Sequence, residues 1–172
     1  MGTEAIVVMG VSGCGKTTVA KLLAETLGWE FAEGDEFHSP ANVEKMRRGE
    51  ALTDEDRWPW LRSVAAHLQG RQQAGHSVIV TCSALRRAYR DLLRDIDYPV
   101  RFAHIEPSPE ILRERLALRK GHYMPASLLQ SQLETLEPLR PDEPGVVVRA
   151  DRTPDTVVRA TVDALGLPTT SL

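Results

Sequence analysis

The stretch Ala5-Ile6-Val7-Val8-Met9 runs directly into Gly10-Val11-Ser12-Gly13-Cys14-Gly15-Lys16-Thr17, and it decides the fold. The first five residues are apolar and rich in β-branched side chains, which predicts a buried strand. The next eight match G-x-x-x-x-G-K-[ST] in full, and Thr18 to Leu27 has helical character. A glycine-rich turn between a strand and a helix aims backbone N–H groups inward, so this stretch predicts a phosphate-binding loop.

Within this loop, Lys16 brings a full positive charge to phosphate oxygens, and the hydroxyl of Thr17 is the predicted Mg²⁺ ligand. The predicted nucleotide-binding residues are Gly10, Ser12, Gly13, Cys14, Gly15, Lys16, Thr17 and Thr18. A match of this length is expected by chance in under about one per cent of chains of this size. The loop alone serves GTPases, motor ATPases and small-molecule kinases, so the rest of the chain must choose among them.

The sequence has 172 residues, which is close to the size of a single ordinary domain, so one compact domain spanning 1–172 is expected. The net charge of −3 lacks the broad basic field that binding to nucleic acid or to an anionic membrane requires, so neither partner is expected. Cys14 and Cys82 lack metal-ligand spacing and suggest a reducing compartment. The amino-terminal residues do not read as a signal segment, and we therefore expect a cytoplasmic protein.

Short β-rich runs alternate with longer helical stretches along the chain, which predicts an α/β fold with a five-stranded parallel sheet flanked by helices. The five runs are Ala5 to Met9, Trp29 to Ala32, Ser77 to Cys82, Val100 to Ile105 and Val146 to Val148. Prolines in Trp58-Pro59, Ser108-Pro109 and Thr153-Pro154 mark predicted helix starts, the last two behind a Ser or Thr cap.

Two charged segments help to decide which class of phosphate-loop protein this chain is. His38 to Arg57 reads as a partly helical insert, and Arg113 to Pro125 carries cations from a helix end into a glycine-containing loop. A kinase must place an acceptor hydroxyl in line with the γ-phosphorus while excluding water, which calls for an acceptor-binding insert and a cationic lid. We therefore predict an insert at about 36–60 and a lid at about 119–131. A GTPase is disfavoured because the sequence has no Asn-Lys-x-Asp.

Several blocks resemble one known family in combination. They are the phosphate loop, Gly34-Asp35-Glu36-Phe37-His38 with Asn42-Val43-Glu44-Lys45-Met46, Leu52-Thr53-Asp54-Glu55-Asp56-Arg57-Trp58-Pro59-Trp60-Leu61, Cys82-Ser83-Ala84-Leu85-Arg86-Arg87-Ala88-Tyr89-Arg90-Asp91-Leu92-Leu93-Arg94, Arg115-Leu116-Ala117-Leu118-Arg119-Lys120-Gly121-His122 and Gln132-Leu133-Glu134-Thr135-Leu136-Glu137-Pro138. The chain resembles thermoresistant-type gluconokinase from about residue 5 to residue 165. The resemblance implies a P-loop NTPase fold akin to shikimate and nucleoside-monophosphate kinases. It also implies transfer of phosphate from ATP, with Mg²⁺, to the terminal hydroxyl of D-gluconate, and a homodimer.

Asp35 is the candidate for orienting the acceptor hydroxyl, because it is expected at the end of the second strand, where ligands of doubly wound folds bind. Its carboxylate can accept the hydroxyl proton or help to order Mg²⁺ through water, and the alternative is a helix-capping role. Glu33 is either a residue near the metal or a solvated side chain.

Gluconate carries a carboxylate far from the reacting hydroxyl, so its site needs a cation at a distance from the loop. By analogy with the shikimate-kinase arrangement, Arg57 is the candidate, with His38 and Ser83 as neutral hydrogen-bonding groups. The alternative for Arg57 is an ion pair with Asp54 or Asp56 on a solvated face. Lys45 and Arg90 are weaker candidates for the same role.

Arg115 and Arg119 lie four residues apart and share one helix face, so they can serve one ligand. The resemblance suggests that Arg115 stacks over adenine, that Arg119 closes on the transferring phosphates as a catalytic cation beside Lys16 and Asp35, and that His122 and Gln132 reach the acceptor. The alternative is a solvated basic face at a helix end.

Two other functions remain open on the sequence. A shikimate-type or nucleotide-type kinase is the nearer one, although shikimate kinases use a glycine-rich turn where this chain has Ser83-Ala84-Leu85-Arg86. A regulatory nucleotide-binding module is the other, and it would be expected to lose the insert or the lid cations.

Overall fold

The computed structural model describes residues 2–11, 13–117 and 126–168, and of residues 115–117 and 126–128 it describes the helical backbone alone. The described strands are β1 (Ala5–Met9), β2 (Glu30–Glu33), β3 (Val78–Thr81), β4 (Val100–Glu106) and β5 (Gly145–Arg149). The described helices are α1 (Lys16–Leu27), α2 (Pro40–Arg47), α3 (Asp54–Gln73), α4 (Arg87–Arg94), α5 (Pro109–Ala117), α6 (Ala126–Thr135) and α7 (Pro154–Leu165), with a 3₁₀ turn at Gly34–Phe37.

The five strands form one sheet in the order β2-β3-β1-β4-β5, and every neighbouring pair is parallel. Ala5 at the start of β1 pairs with Val78 on one side and with Val100 on the other. All five residues of β1 are fully buried, as expected for the central strand of a parallel sheet. The predicted five-stranded parallel sheet is confirmed, and it gathers all strand carboxyl ends at one edge.

Helices cover this sheet in two contacting pairs, with α1 packed on α7 and α3 packed on α4. Buried side chains from each helix enter a single core, including Leu23 of α1, Leu61 of α3, Leu93 of α4 and Val157 of α7. The core therefore fixes α3, which begins within the predicted insert, to the same sheet that carries the phosphate loop.

The predicted helix start at Trp58-Pro59 is wrong. Helix α3 begins at Asp54, where the Thr53 hydroxyl accepts the N–H of Asp56 and the Asp56 carboxylate accepts the N–H of Thr53. This capping box satisfies the first turn, so the helix needs no proline to begin. Pro59 costs one internal hydrogen bond, and burial of the neighbouring Trp60 at 3% exposure offsets that loss.

The other two proline-marked starts are confirmed, at Pro109 for α5 and at Pro154 for α7. Ser108 caps α5, since its hydroxyl accepts the N–H of Ile111 at 3.3 Å. Thr153 is the N-cap residue of α7, as predicted, but its side chain forms no cap hydrogen bond with the helix. It faces the Thr156 hydroxyl at 3.0 Å instead.

Gly34 joins β2, β3 and α3 at the carboxyl edge of the sheet. Its N–H donates to the Thr81 hydroxyl at 3.0 Å, and its carbonyl accepts the indole N–H of Trp60 at 2.8 Å. A Cβ atom at this position would lie 1.8 Å from the Thr81 carbonyl oxygen, a distance that real side chains do not reach. The absence of a side chain therefore lets the turn after β2 seat against the end of β3.

Replacing Gly34 with alanine is predicted to lower the free energy of unfolding by at least about 3 kcal/mol, because a rigid backbone atom blocks the added methyl group. Gly70→Ala in α3 is the matched control: a Cβ there meets nothing within 4 Å, and we expect a gain of about 0.5–1 kcal/mol from helix propensity. Urea unfolding followed by circular dichroism measures both. Equal stability of the two variants would contradict the close approach at Gly34.

Candidate active site

The phosphate-binding loop has the geometry of an anion cradle. Gly13 and Gly15 have φ angles of 84° and 91°, which only glycine adopts at low cost. Gly15 is the N-cap of α1 and makes no side-chain cap, so the first N–H groups of the helix lie at the loop without a capping side chain. The ammonium of Lys16 donates to the carbonyls of Gly10 at 2.8 Å and Val11 at 3.1 Å. The loop thus presents positive charge and backbone donors together.

Glu33 reaches the loop from the end of β2. Thr17 Oγ1 donates to Glu33 Oε2 at 2.8 Å, and the Thr81 hydroxyl donates to the other carboxylate oxygen. The alternative of a solvated Glu33 is therefore not what the structure has. Hydroxyl and carboxylate oxygens are the ligands that Mg²⁺ prefers, so Thr17 and Glu33 fit a magnesium ion beside a bound phosphate. Within the described ranges no cluster of three His, Cys, Asp or Glu side chains is placed to hold a metal ion alone.

A polar cavity lies beside the loop, between the insert and the carboxyl edge of the sheet. It is lined by Lys16, Asp35, His38, Met46, Ala51, Leu52, Arg57, Trp60, Ser83, Leu85, Ser131 and Gln132. Six of these residues are predicted site residues, which come from the loop, the insert, the segment after β3 and α6. Asp35 lies in the 3₁₀ turn after β2 rather than at the end of the strand, because β2 ends at Glu33.

His38 enters this cavity as a neutral ring. Burial, followed by the nearby Arg57 guanidinium, lowers the pKa of His38 to about 4. The ring stacks on Trp60 with centroids 4.0 Å apart and an interplanar angle of 20°. Asn42 Nδ2 donates to the carbonyl of Asp56 at 2.9 Å and lies 3.3 Å from His38 Nδ1, which makes Nδ1 the acceptor and leaves the ring proton on Nε2.

Arg57 is largely buried, with 12% of its side chain exposed. Its Nη1 donates to the Tyr89 hydroxyl at 2.9 Å and lies 3.8 Å from Asp54 Oδ1. The sequence left open that Arg57 forms an ion pair on a solvated face. In the structure the contact with Asp54 is long, and the Arg57 side chain lines the cavity instead of facing solvent. Asp56 pairs with Lys45 Nζ at 2.7 Å instead, which ties α2 to α3 and gives Lys45 a bracing contact.

Arg90 is fully buried and braces the segment that carries Ser83. Its Nε and Nη2 donate to the carboxylate of Glu143 at 2.6 and 3.0 Å, and its Nη1 donates to the carbonyl of Ala84 at 2.8 Å. Ala84 has a φ of 46°, a left-handed conformation that costs a non-glycine residue about 1 kcal/mol. Arg90 therefore fixes the turn that places Ser83 in the cavity, and it lies outside the cavity lining.

The remaining predicted residues are described only in part. Gly10, Gly13, Cys14, Gly15, Lys16, Thr17 and Thr18 lie between β1 and the first turn of α1. Ser12, Arg119 and His122 lie outside the described residues, and Arg115 is described only as helical backbone in α5. The predicted lid at 119–131 therefore enters the description only at 126–131, where α6 begins, and Gln132 follows in the same helix.

Sequence reasoning missed several side chains that complete the site. Trp60 follows Arg57 by three residues on α3, so helical spacing could have placed both on one face. Tyr89 offered no such signal, because it reaches Arg57 from a different helix, 32 positions along the chain. Leu85 and Ser131 line the cavity without any chemical signature in the sequence.

The fold and the loop define a P-loop nucleotide-binding protein with a polar cavity beside the loop. A family model described as an AAA domain matches residues 6–139. This match covers most of the chain and includes the loop, the insert and the segment after β3.

Known proteins narrow the class further. The gluconokinase of Gluconobacter oxydans (strain 621H) is 55% identical over 153 residues, covering 89% of this chain and 86% of that protein. The thermoresistant gluconokinase of Escherichia coli (strain K12) is 38% identical over 160 residues, covering 92% and 91%. The crystal structure of a gluconokinase from Sinorhizobium meliloti 1021 superposes with a TM-score of 0.85 at 44% identity, covering 95% and 91%. The chain belongs to the gluconokinase family, which confirms the resemblance seen in the sequence.

The state of His38 is open to direct measurement. We expect its imidazole to titrate with a pKa of about 4 in the folded protein and to stay neutral at pH 6. Since the unfolded chain binds this proton at higher pH, His38 makes stability fall as pH drops from about 6.5 towards 4. Arg57→Gln should raise the pKa of His38 while burial keeps it below the ordinary value. Ring NMR signals across a pH titration test this, and a protonated His38 at pH 6 would contradict it.

Proposed function

We propose that this chain transfers the γ-phosphoryl group of ATP to the terminal hydroxyl of D-gluconate, giving 6-phospho-D-gluconate and ADP. The observation that carries the proposal is the single cavity that brings Lys16 and Asp35 of the nucleotide side together with Arg57 and His38 of the insert. The chain is a kinase of a family whose named members are gluconokinases, and the cavity has the charges that such an acceptor requires.

The gluconate molecule fits in the cavity between two ends that differ in chemistry. Lys16 and Asp35 lie where the reacting hydroxyl meets the phosphate, and Arg57 supplies a partly desolvated cation for the carboxylate. Between them, His38 and Ser83 offer neutral hydrogen-bonding groups to the hydroxyls, with Nε2–H as the donor of His38. Gln132 of α6 joins the same lining from the lid side.

In the transfer itself, the acceptor oxygen forms a bond to the γ-phosphorus while the bond from that phosphorus to the β,γ-bridging oxygen breaks. The hydroxyl proton passes to the Asp35 carboxylate or, where Asp35 only holds the hydroxyl in line, to solvent. Lys16 and the N–H groups of the loop stabilise the charge that develops on the phosphate oxygens. Stacking of His38 on Trp60 holds the acceptor side rigid, so that the hydroxyl stays in reach.

P-loop kinases use ATP, typically with Mg²⁺, and this chain has the loop for both. Thr17 is the proposed ligand, Glu33 holds its hydroxyl, and Asp35 is the proposed further carboxylate near the ion. When bound, Mg²⁺ neutralises phosphate charge. Arg115 over adenine, Arg119 on the transferring phosphates and His122 on the acceptor complete the proposed set from the resemblance.

The partners proposed for this chain are its two small-molecule substrates and a second copy of itself. No helix in the described part of the chain is long and apolar enough to cross a membrane. A homodimer in the cytoplasm, with no contact to nucleic acid or membrane, remains a proposal that rests on the family resemblance and on the charge balance of the sequence.

A coupled assay of ADP release with a panel of acceptors tests the proposed reaction. Mg²⁺-dependent ADP formation is expected with D-gluconate, and the rate without acceptor should be small because an attacking water lacks the contacts that hold the gluconate hydroxyl in line with the γ-phosphorus. Lys16→Ala should lower turnover at least about a hundredfold while the protein stays folded, since the lost cation stabilises the transition state. Faster turnover per molar substrate with shikimate or a nucleoside monophosphate would overturn the assignment of gluconate.

The role of Asp35 can be separated from general charge effects by its neighbour. Asp35 and Glu36 are adjacent exposed acids in the same 3₁₀ turn, and only Asp35 lines the cavity. Asp35→Asn should slow single-turnover phosphoryl transfer by about 10²- to 10⁴-fold at saturating substrates, whereas Glu36→Gln should stay within about threefold of the parent.

Raising the pH should partly rescue Asp35→Asn if the carboxylate is a base, and should leave the residual rate unchanged if it positions the hydroxyl. A transfer rate within tenfold of the parent would reassign Asp35 to capping and shift the search to His38 or Glu33.

A further inference from the structure

A hydrogen-bonded network runs from Arg57 of α3, which lines the cavity, to Tyr89 of α4 and on to Asp54 of α3. The Tyr89 hydroxyl accepts from Arg57 Nη1 at 2.9 Å and donates to Asp54 Oδ1. Tyr89 is 1% exposed, and among the described residues neither it nor Asp54 lines the cavity that Arg57 lines. Tyr89 and Asp54 can therefore affect a ligand in the cavity only through their contacts with Arg57.

The direction of these hydrogen bonds is set by the ionic partner. Asp54 is a carboxylate in the first turn of α3, so it only accepts, and the Tyr89 proton must point towards it. The lone pairs of the Tyr89 hydroxyl oxygen can then accept the hydrogen bond from Arg57. Burial, followed by the hydrogen bond to Asp54, raises the pKa of Tyr89, which keeps the phenol protonated as the donor. The ring is held edge-on by Trp58 at 5.4 Å.

The Tyr89 hydroxyl also keeps Arg57 and Asp54 apart. Their closest charged atoms lie 3.8 Å from each other, longer than the about 2.7–2.9 Å of a charge-assisted hydrogen bond. Residues three apart on a helix face one another, so these two side chains would pair directly if nothing stood between them. Such a pair would draw the guanidinium towards Asp54, which Arg86 also approaches at 3.7 Å, and away from the acceptor.

We propose that Tyr89 is a positioning residue that holds Arg57 directed into the cavity, against the attraction of Asp54, and thereby sets the affinity for an acid acceptor. The proposal rests on the proposed function, because Arg57 is there the partner of the gluconate carboxylate. It adds a requirement: affinity for the acid depends on a hydroxyl group that does not touch it.

Tyr89→Phe removes this hydroxyl and keeps the ring that packs against Trp58. The KM for gluconate should rise about tenfold, the equivalent of one weakened charge-assisted hydrogen bond, while the KM for ATP and kcat stay within about threefold. Tyr98→Phe is the matched control, since its buried hydroxyl lies 2.6 Å from the carbonyl oxygen of His76 and 2.9 Å from that of Glu4, at the opposite edge of the sheet. It should leave all three kinetic constants within about twofold.

A second variant separates positioning from simple damage to the site. In Tyr89→Phe the misplaced Arg57 is held by the Asp54 charge, so adding Asp54→Asn should lower the KM for gluconate at least threefold relative to Tyr89→Phe alone. A residue that only supports packing would instead give a double variant no better than either single variant. Thermal unfolding of the parent, Tyr89→Phe, Asp54→Asn and the double variant checks that each of these four proteins is folded at the assay temperature.

The outcomes distinguish this inference from the function on which it rests. If the parent protein does not phosphorylate gluconate, the proposed function fails. If the parent does so and Tyr89→Phe retains its KM for gluconate, or the double variant shows no recovery, the positioning role of Tyr89 is overturned and the function stands.

Discussion

The close approach of Gly34 to the end of β3 is the constraint on which the acceptor half of the site depends. Its N–H is held by Thr81, its carbonyl is held by Trp60, and the space where a side chain would stand is filled by the Thr81 carbonyl. One residue earlier, Glu33 is thereby set against Thr17, and one residue later, Asp35 faces the cavity. The contacts of this one backbone position thus align Glu33, Asp35 and the helix that carries Arg57.

The cations that line the cavity donate to neutral oxygens, whereas the fully buried ion pair lies outside the cavity. Arg90 and Glu143 form a pair that is buried completely, yet it serves the turn before α4 and lies outside the cavity. The two cations that line the cavity are paired less closely: Lys16 donates to two loop carbonyls, and Arg57 donates to the Tyr89 hydroxyl. A neutral oxygen satisfies a donor without cancelling its charge, so both cations keep their attraction for an incoming anion.

Much of this architecture could be predicted from the sequence. The five strand runs and the phosphate loop are local patterns, and the structure places every strand end within one residue of its predicted position. The start of α3 was predicted wrongly because a proline signal at Pro59 competed with a capping box at Thr53, and the capping box prevails where the following residues pack well. Similarly, Glu33 could not be assigned, since its partners Thr17 and Thr81 lie 16 and 48 positions away.

The sequence by itself determined the class of fold, the phosphate loop, the family and half of the residues that line the cavity beside the loop, because motif spacing and strand periodicity are written in neighbouring residues. Only the tertiary structure decided which side chains support them. Trp60 under His38, Glu33 on Thr17 and the Tyr89 hydroxyl between Arg57 and Asp54 depend on contacts between separate elements. Such contacts follow from how helices pack on the sheet, and packing directions are not encoded by any local pattern.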